Sequence, residues 1–175
     1  MKPLRESLLD GDLVGKTDEM IKDEIKVFLK ENFKGASLCK ISRTPNSDGK
    51  YEVSSTKDIE VINRNITSLT NGMFIWATVD GIFSCSFCFK LESLEGAPEK
   101  VGGGFYCSYC SKLKSLKGAP KEVKGDFYCV SNQSLKSLEG APKEVEGNFN
   151  CLNCKILFTK DDVEKVSDVK GKIKC

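Results

Sequence analysis

The sequence predicts a repeat solenoid, a short array of about six parallel strands with non-helical backs and a capping helix at each end. Three observations predict this fold. Cysteines, phenylalanines and leucines recur at one fixed spacing through much of the 175-residue chain. A Gly-Ala-Pro segment recurs within the units and disfavours helix there. An amphipathic segment precedes the units, and a shorter one follows them.

The units repeat with a period of 22 residues. The segments LESLEGAPEKVGGGFYCSYC, LKSLKGAPKEVKGDFYCVSN and LKSLEGAPKEVEGNFNCLNC align without gaps. The positions that recur are Phe83, Phe105, Phe127 and Phe149; Cys85, Cys107, Cys129 and Cys151; and Leu91, Leu113, Leu135 and Leu157. Since one coil cannot bury its own apolar edge, such agreement indicates coils stacked on each other.

The pattern within one unit, Phe-x-Cys-x-x-Cys/Asn-x-x-Leu-x-x-Leu, resembles the leucine-rich repeat. We therefore expect a leucine-rich-repeat-like array, with strands near 59–61, 83–85, 105–107, 127–129, 149–151 and 173–175. Asn132 occupies the slot that holds cysteine in the other complete units, at Cys88, Cys110 and Cys154. We expect side chains in this slot to turn inward and bond the backbone of the bend.

The returning half of each unit contains a proline, at Pro98, Pro120 and Pro142. Proline disfavours helix there, so we expect extended or polyproline-like backs. Lysines and glutamates interleave along these segments, which is typical of a solvated outer face.

Both ends carry the caps that a stacked array needs. Thr17 precedes apolar residues at helical spacing, which predicts a helix over about 18–33, and residues 36–58 are typical of a short hairpin. Thr159 can begin a second helix, because threonine caps helix N-termini. The predicted organisation is a mobile tail at 1–16, an N-terminal cap of helix and hairpin at 17–58, the solenoid at 59–158, and a C-terminal cap of helix and last strand at 159–175.

Composition narrows the function classes. Histidine is absent, which removes the commonest general base, and no catalytic constellation stands out, so we predict a protein that is not an enzyme. The 27 basic and 25 acidic residues nearly balance, which argues against a dedicated nucleic-acid groove. No apolar run suits a secretory leader or a membrane span, so we expect a cytoplasmic protein with reduced thiols and no membrane partner.

The chain resembles a family of leucine-rich-repeat-like proteins from gut bacteria and their bacteriophages. The resemblance is carried by SLEGAPKEV-x-G-x-F-x-C-x-x-C, by NITSLTNGMF before the repeats and by FTKDDVEKVSDVKGKI after them, and it covers the chain from about residue 17 onward. It implies a solenoid and brings no catalytic residue to transfer. It also suggests an alternative function, a phage-encoded inhibitor that binds a host defence protein.

The nine cysteines allow two main interpretations. CSFC and CSYC form C-x2-C-x18-C-x2-C, so Cys85, Cys88, Cys107 and Cys110 have the spacing of a zinc site in a Cys-rich structural module. The interpretation that we favour is a cysteine ladder, in which small buried thiols fill repeat positions, with no cofactor and no metal. Disulfides between neighbouring strands are within geometric reach but are disfavoured in a reducing cytosol.

The residues that alternate with the buried phenylalanines and cysteines predict a binding surface. They point to the open, concave face of the strands, which solenoids use for binding. The candidate partner-binding residues are Ser84, Tyr106, Tyr128, Asn150, Asp126 and Asn148. Tyr106 and Tyr128 stand on adjacent strands, and tyrosine is a frequent interface anchor. We therefore predict a non-enzymatic protein-binding module whose protein partner the sequence does not identify.

Overall fold

A computed structural model describes residues 15–175, and it is a parallel β-solenoid built from two seven-stranded sheets. The predicted fold class is therefore confirmed. The front sheet contains β1 (Phe33–Lys34), β4 (Ile59–Val61), β6 (Phe83–Ser84), β8 (Phe105–Tyr106), β10 (Phe127–Tyr128), β12 (Phe149–Asn150) and β14 (Ile173–Lys174). The back sheet contains β2 (Lys40–Ile41), β3 (Tyr51–Ser55), β5 (Phe74–Val79), β7 (Lys100–Val101), β9 (Glu122–Val123), β11 (Glu144–Val145) and β13 (Asp168–Val169). The two helices are α1 (Asp18–Asn32) and α2 (Lys160–Glu164).

The front sheet carries the six predicted strands, β4 to β14, stacked parallel and in register. Register follows the 22-residue period, since Phe105 pairs with Phe83 on one side and with Phe127 on the other. The rings of Phe83 and Phe105 are stacked with centroids 5.6 Å apart, and those of Phe105 and Phe127 with centroids 5.8 Å apart. Repetition of one large apolar residue thus builds a continuous aromatic core.

The backs of the coils are non-helical, as predicted, and they form a sheet of their own. Each back contributes a two-residue strand, β7, β9, β11 or β13, that pairs parallel with its neighbours. Val101, Val123 and Val145 point into the core from these strands and are buried. The core of the repeats therefore lies between the front phenylalanines and cysteines and the back valines, and it includes Leu91, Leu113 and Leu135. Leu157, at the fourth recurring leucine position, is instead 86% exposed.

The longest back strand, β5, was not predicted from the sequence. It pairs parallel with β3 and buries Phe74 and Trp76. The indole Nε1 of Trp76 donates to the carbonyl oxygen of Leu69 at 3.1 Å. The segment departs from the repeat pattern, which is why the period does not reveal it, and it extends the back sheet toward the N-terminal cap.

The N-terminal cap covers the first coil with α1. The Thr17 hydroxyl accepts a hydrogen bond from the backbone N–H of Met20, and the buried face of the helix presents Ile21, Ile25 and Leu29. Phe33, placed in the helix by the sequence analysis, instead starts β1, which pairs antiparallel with β4. An antiparallel pair, β2 and β3, follows in the predicted hairpin region. Residues 1–14 of the predicted mobile tail lie outside the described residues.

The C-terminal helix α2 begins with a capping box. Thr159 accepts a hydrogen bond from the backbone N–H of Asp162, and the Asp162 carboxylate accepts one from the backbone N–H of Thr159. Val163, a residue of this helix, is fully buried. The chain then adds β13 to the back sheet and β14 to the front sheet, which confirms the predicted last strand.

Ion pairs between successive coils run along the outer surface. Residues 22 apart pair as Lys114 with Glu92 at 2.5 Å, Lys117 with Glu95 at 3.0 Å, Lys121 with Glu99 at 3.0 Å, Lys100 with Glu122 at 2.8 Å, and Lys124 with Glu146. All are solvent-exposed, so each contributes at most about 1 kcal/mol. The interleaved lysines and glutamates of the repeats therefore form ion pairs between successive coils on a solvent-exposed surface.

Glycine is required where each coil turns toward its back strand. Gly118 has φ of +86°, and a Cβ there would lie 2.4 Å from the backbone nitrogen of Glu95 in the preceding coil. Gly72 has the same φ of +86°, but a Cβ there would meet nothing within 4 Å. The two glycines therefore share the backbone conformation and differ in how closely the next coil approaches.

We expect Gly118→Ala to lower the free energy of unfolding by about 2–3 kcal/mol, and Gly72→Ala by only about 1–2 kcal/mol. Both variants force alanine into the unfavourable left-handed conformation, and only Gly118→Ala adds a clash with the backbone of the preceding coil. Urea unfolding followed by circular dichroism measures the difference. Equal losses in the two variants would show that close coil contact at Gly118 contributes nothing.

Candidate functional site

The strand face is the outward surface of the front sheet, and it brings the six predicted partner-binding residues together. Ser84, Tyr106, Tyr128 and Asn150 follow one another on adjacent strands because the strands pair in register. Asp126 and Asn148 stand two residues before Tyr128 and Asn150 in their coils. All six are half-buried, so each keeps part of its surface accessible to a partner.

Two tyrosine rings form the centre of the strand face. The rings of Tyr106 and Tyr128 are stacked, with centroids 5.3 Å apart and planes 28° apart. The Tyr106 ring lies back over Gly104, where an added Cβ would lie 2.6 Å from the phenol oxygen. Burial raises the pKa of Tyr106, so its hydroxyl stays protonated as a hydrogen-bond donor at neutral pH.

A carboxylate fixes the position of the second tyrosine. The Tyr128 hydroxyl donates to Asp126 Oδ2 at 2.8 Å, and this bond raises the pKa of Tyr128. Asp126 Oδ1 accepts from the backbone N–H of Asn148 at 2.7 Å and from its side-chain Nδ2 at 3.0 Å. The backbone hydrogen bond from Asn148 is the main cause that lowers the pKa of Asp126. The Asp126 carboxylate is therefore an anion at neutral pH, and hydrogen bonds from its own coil and from the next coil hold it in place.

The hydrogen-bonded row continues toward the C-terminal coil. Asn148 Oδ1 accepts from the backbone N–H of Lys172 at 2.9 Å, and Asn150 Oδ1 accepts from that of Leu152 at 3.2 Å. Side chains in such a row are already ordered before any partner arrives. The strand face therefore presents a preformed surface of two phenols, a carboxylate and two amides.

A second aromatic pair, which was not predicted from the sequence, lies where the chain bends after the front strands. We call the four residues at this bend the turn edge; they are Phe87, Tyr109, Ser131 and Asn153, and all have positive φ, from 58° to 62°. The Phe87 and Tyr109 rings are parallel within 2°, with centroids 4.9 Å apart, yet they are 44% and 47% exposed. The available signal was an aromatic residue at the same place in CSFC and CSYC.

The cysteines of the repeats lie inside the solenoid. Cys85, Cys88, Cys107, Cys110, Cys129, Cys151 and Cys154 are all buried. The Cys110 thiol donates to the carbonyl oxygen of Cys85 at 3.2 Å, and Cys154 repeats this bond to Cys129, also at 3.2 Å. Across residues 15–175, no group of three or more Cys, Asp or Glu side chains is placed to hold a metal ion.

Asn132 takes the same slot with stronger hydrogen bonds. Its Nδ2 donates to the carbonyl oxygens of Cys107 and Cys129, at 2.9 and 3.0 Å, and its Oδ1 accepts from the backbone N–H of Cys110 at 2.8 Å. The side chain is completely buried. Slot residues of three coils thus bond the backbone of the bend, as the sequence analysis expected for this position.

Burial controls the acidity of the thiols that point inward from the front strands, whereas a hydrogen bond with Cys88 lowers the pKa of Cys110. Desolvation raises the pKa of Cys85, Cys107 and Cys129 well above the ordinary value for a thiol. Since the thiolate is the nucleophile, the raised pKa and the burial both disfavour reaction at these sulfurs in the folded protein. Cys175, by contrast, is exposed at the last front strand.

We expect iodoacetamide at about pH 8 to modify Cys175 rapidly and the buried repeat cysteines at least about 100-fold more slowly, because the latter react only when the coils open. Mass spectrometry of peptides taken at increasing times measures each rate. Denaturant should make all nine cysteines reactive and serves as the control. Rapid modification of Cys85 or Cys107 in the folded protein would contradict the packed arrangement.

Comparisons with known proteins give no relative for this chain: no family model, no curated protein and no solved structure matches it. Within the part of the chain that the structure describes, no helix combines the length and apolar character needed to cross a membrane. The function therefore has to be inferred from the geometry of the strand face and of the surfaces around it.

Proposed function

We propose that the protein is a non-enzymatic binding module that takes a protein partner on its strand face. The observation that carries the proposal is the ordered group at the centre of that face, the stacked pair Tyr106 and Tyr128 with Asp126 bonded to the second phenol. Tyrosine combines a large apolar ring with a hydrogen-bonding hydroxyl, which makes it a frequent anchor of protein interfaces.

Preorganisation supports binding on this face. Partner binding normally loses about 0.5–1.5 kcal/mol for each long side chain that becomes ordered. Here Asp126 and Asn148 already hold their positions through hydrogen bonds to the next coil, and Asn150 through one within its own coil. A partner therefore meets acceptors and amides in fixed places, and specificity follows from the side chains that differ between coils.

The buried cysteines serve the frame in this proposal. As a cysteine ladder, they fill the interior and donate weak hydrogen bonds to bend carbonyls, as Cys110 and Cys154 do. The raised pKa values of Cys107 and Cys129 support a packing role and argue against nucleophilic chemistry at these two sulfurs. We assign the protein to the cytoplasm, where free thiols of this number persist.

The test is a comparison of three immobilised proteins in a lysate of a gut bacterium, the source that the resemblance implies. They are the wild type, Tyr106→Ala/Tyr128→Ala, and Leu157→Ala as a control, since Leu157 is 86% exposed and lies off the strand face. We expect one protein to be retained by the wild type and the control and to be lost from the double variant. The Kd of the purified partner should rise at least about tenfold in the double variant, the effect of losing one anchor.

Both tyrosines are partly exposed, so the double variant should keep its fold, which circular dichroism verifies. A folded double variant with unchanged affinity for the captured protein would move the binding site off the strand face. Capture of the same proteins by all three samples would mean that the strand face has no specific partner.

A further inference from the structure

The turn edge continues along the solenoid as a row of equivalent positions. Backbone hydrogen bonds join its coils in one pattern, from Phe87 N–H to the Ser108 carbonyl, from Tyr109 N–H to that of Val130, and from Ser131 N–H to that of Leu152. Each residue of the row has the same left-handed conformation. The side chains of Phe87, Tyr109, Ser131 and Asn153 therefore project in the same direction, one coil apart.

The aromatic stack on this row ends abruptly. The guanidinium of Arg64 lies 5.7 Å from the Phe87 ring centroid, and Phe87 in turn covers one face of Tyr109. The next position in the row is Ser131, which is too small to cover the other face. Tyr109 thus presents an open ring face at the point where a third ring would continue the stack.

Unused hydrogen-bonding groups stand beside that open face. Among residues 15–175, neither the Ser131 hydroxyl nor the Asn153 side-chain amide makes a hydrogen bond. A planar group stacked on Tyr109 would lie above Ser131, with Asn153 one coil further on. The site therefore offers one stacking surface together with a hydroxyl and an amide, which provide donors and acceptors for the edge of a flat polar ring.

Positive charge surrounds the same edge. Lys90, Lys112 and Lys155 lie in or next to its bends, while Arg64, at one end of the row, is paired with Glu60 at 3.3 Å and adds little net charge. These three lysines make no ion pair within the described part of the chain, whereas the nearby acid Glu92 is paired with Lys114 at 2.5 Å. The nearly balanced charge of the whole protein therefore conceals a locally basic edge.

We propose that the turn edge binds single-stranded nucleic acid. One base stacks on the open face of Tyr109 over Ser131, its polar edge contacts Ser131 and Asn153, and the phosphates lie against Lys90 and Lys112. Stacking on exposed aromatic rings beside a row of cations is how proteins hold single strands without a duplex. The open ring selects an unpaired base, because bases within a duplex already have both faces covered. This site is separate from the strand face and does not depend on its partner.

Fluorescence anisotropy with a labelled oligothymidylate of about twelve nucleotides, at about 50 mM salt, tests the proposal. We expect Tyr109→Ala to raise the Kd by roughly 5- to 100-fold, the effect of losing one stacked base, and Tyr109→Trp to restore binding. Lys90→Gln/Lys112→Gln should weaken binding and lower the salt slope by about two. Circular dichroism checks that each variant keeps its fold.

The strand-face variant Tyr106→Ala/Tyr128→Ala is the matched control, since it removes a stacked pair from the neighbouring surface and should leave oligonucleotide affinity unchanged. A duplex of the same sequence should bind at least about tenfold more weakly than the single strand. Absence of binding to the single strand, equal affinity for the duplex, equal displacement by an acidic tyrosine-containing peptide, or an unaffected Tyr109→Ala variant would each overturn the proposal.

Discussion

Replacing Phe105 by alanine is expected to lower the free energy of unfolding by about 3–5 kcal/mol. Phe105 is fully buried and stacked between Phe83 and Phe127, so the substitution removes a ring from the middle of the core. The flanking rings cannot close the gap, because their positions are set by the backbone pairing of β6, β8 and β10. Loss of this size is a large part of the 5–15 kcal/mol that stabilises a typical domain.

Urea unfolding of the wild type, Phe105→Ala and Phe105→Leu measures the effect. The leucine variant refills most of the volume and should lose clearly less than the alanine variant. Leu157→Ala, at an exposed position, should stay within about 0.5 kcal/mol of the wild type. A Phe105→Ala variant as stable as the wild type would be incompatible with a continuous core of stacked rings.

The second large effect is expected at Asn132, the one amide among the bend slots of the complete repeats. Asn132→Ala should lower the free energy of unfolding by about 3–4 kcal/mol, because the buried Cys107 carbonyl and Cys110 N–H lose their partner and the Cys129 carbonyl keeps only the weak bond from the Cys154 thiol. Those groups belong to Cys107, Cys129 and Cys110, so the loss affects two coils at once.

Asn132→Cys is the matched variant, since cysteine occupies the same slot in the other complete repeats. A thiol there can donate to the Cys107 carbonyl as Cys110 does to that of Cys85. We therefore expect Asn132→Cys to be more stable than Asn132→Ala and less stable than the wild type in the same urea titration. If alanine and cysteine proved equal, the slot would act by volume alone and the hydrogen bonds would contribute nothing.

Much of the fold follows from the period because stacking converts recurrence along the chain into adjacency in space. Phe83, Phe105, Phe127 and Phe149 are 22 residues apart and lie on neighbouring strands, which the sequence predicts. The back sheet follows less directly, since two-residue strands such as β9 carry no alternating pattern of their own. The strand β5 does not follow the 22-residue period, so the only sequence signal for a strand there is its apolar content.

Of the candidate surfaces, only the strand face could be predicted, because side-chain alternation along a strand is regular whereas bend conformations and rotamers are not. Alternation along a strand places Tyr106 and Tyr128 outward, and so the strand face was accessible to sequence reasoning. The turn edge depends on a left-handed backbone at Phe87 and Tyr109, a conformation that such residues adopt rarely and that their identity does not signal. The bond between Asp126 and Tyr128 depends on a side-chain rotamer, which the repeat does not specify.

In-register stacking also makes the whole coil the natural unit of inheritance for this molecule. Duplicating one 22-residue segment would insert a rung whose rings, thiols and outer charges find their counterparts above and below, and it would lengthen the molecule by about 4.8 Å. Insertion of a single residue within a strand would instead turn the side chains of that rung to the wrong face. Between strands extra residues are tolerated, since Ile59 pairs with Phe83 and Phe149 with Ile173 across coils two residues longer than the period. Lineages carrying this architecture should therefore change in size by complete rungs or by residues between the strands.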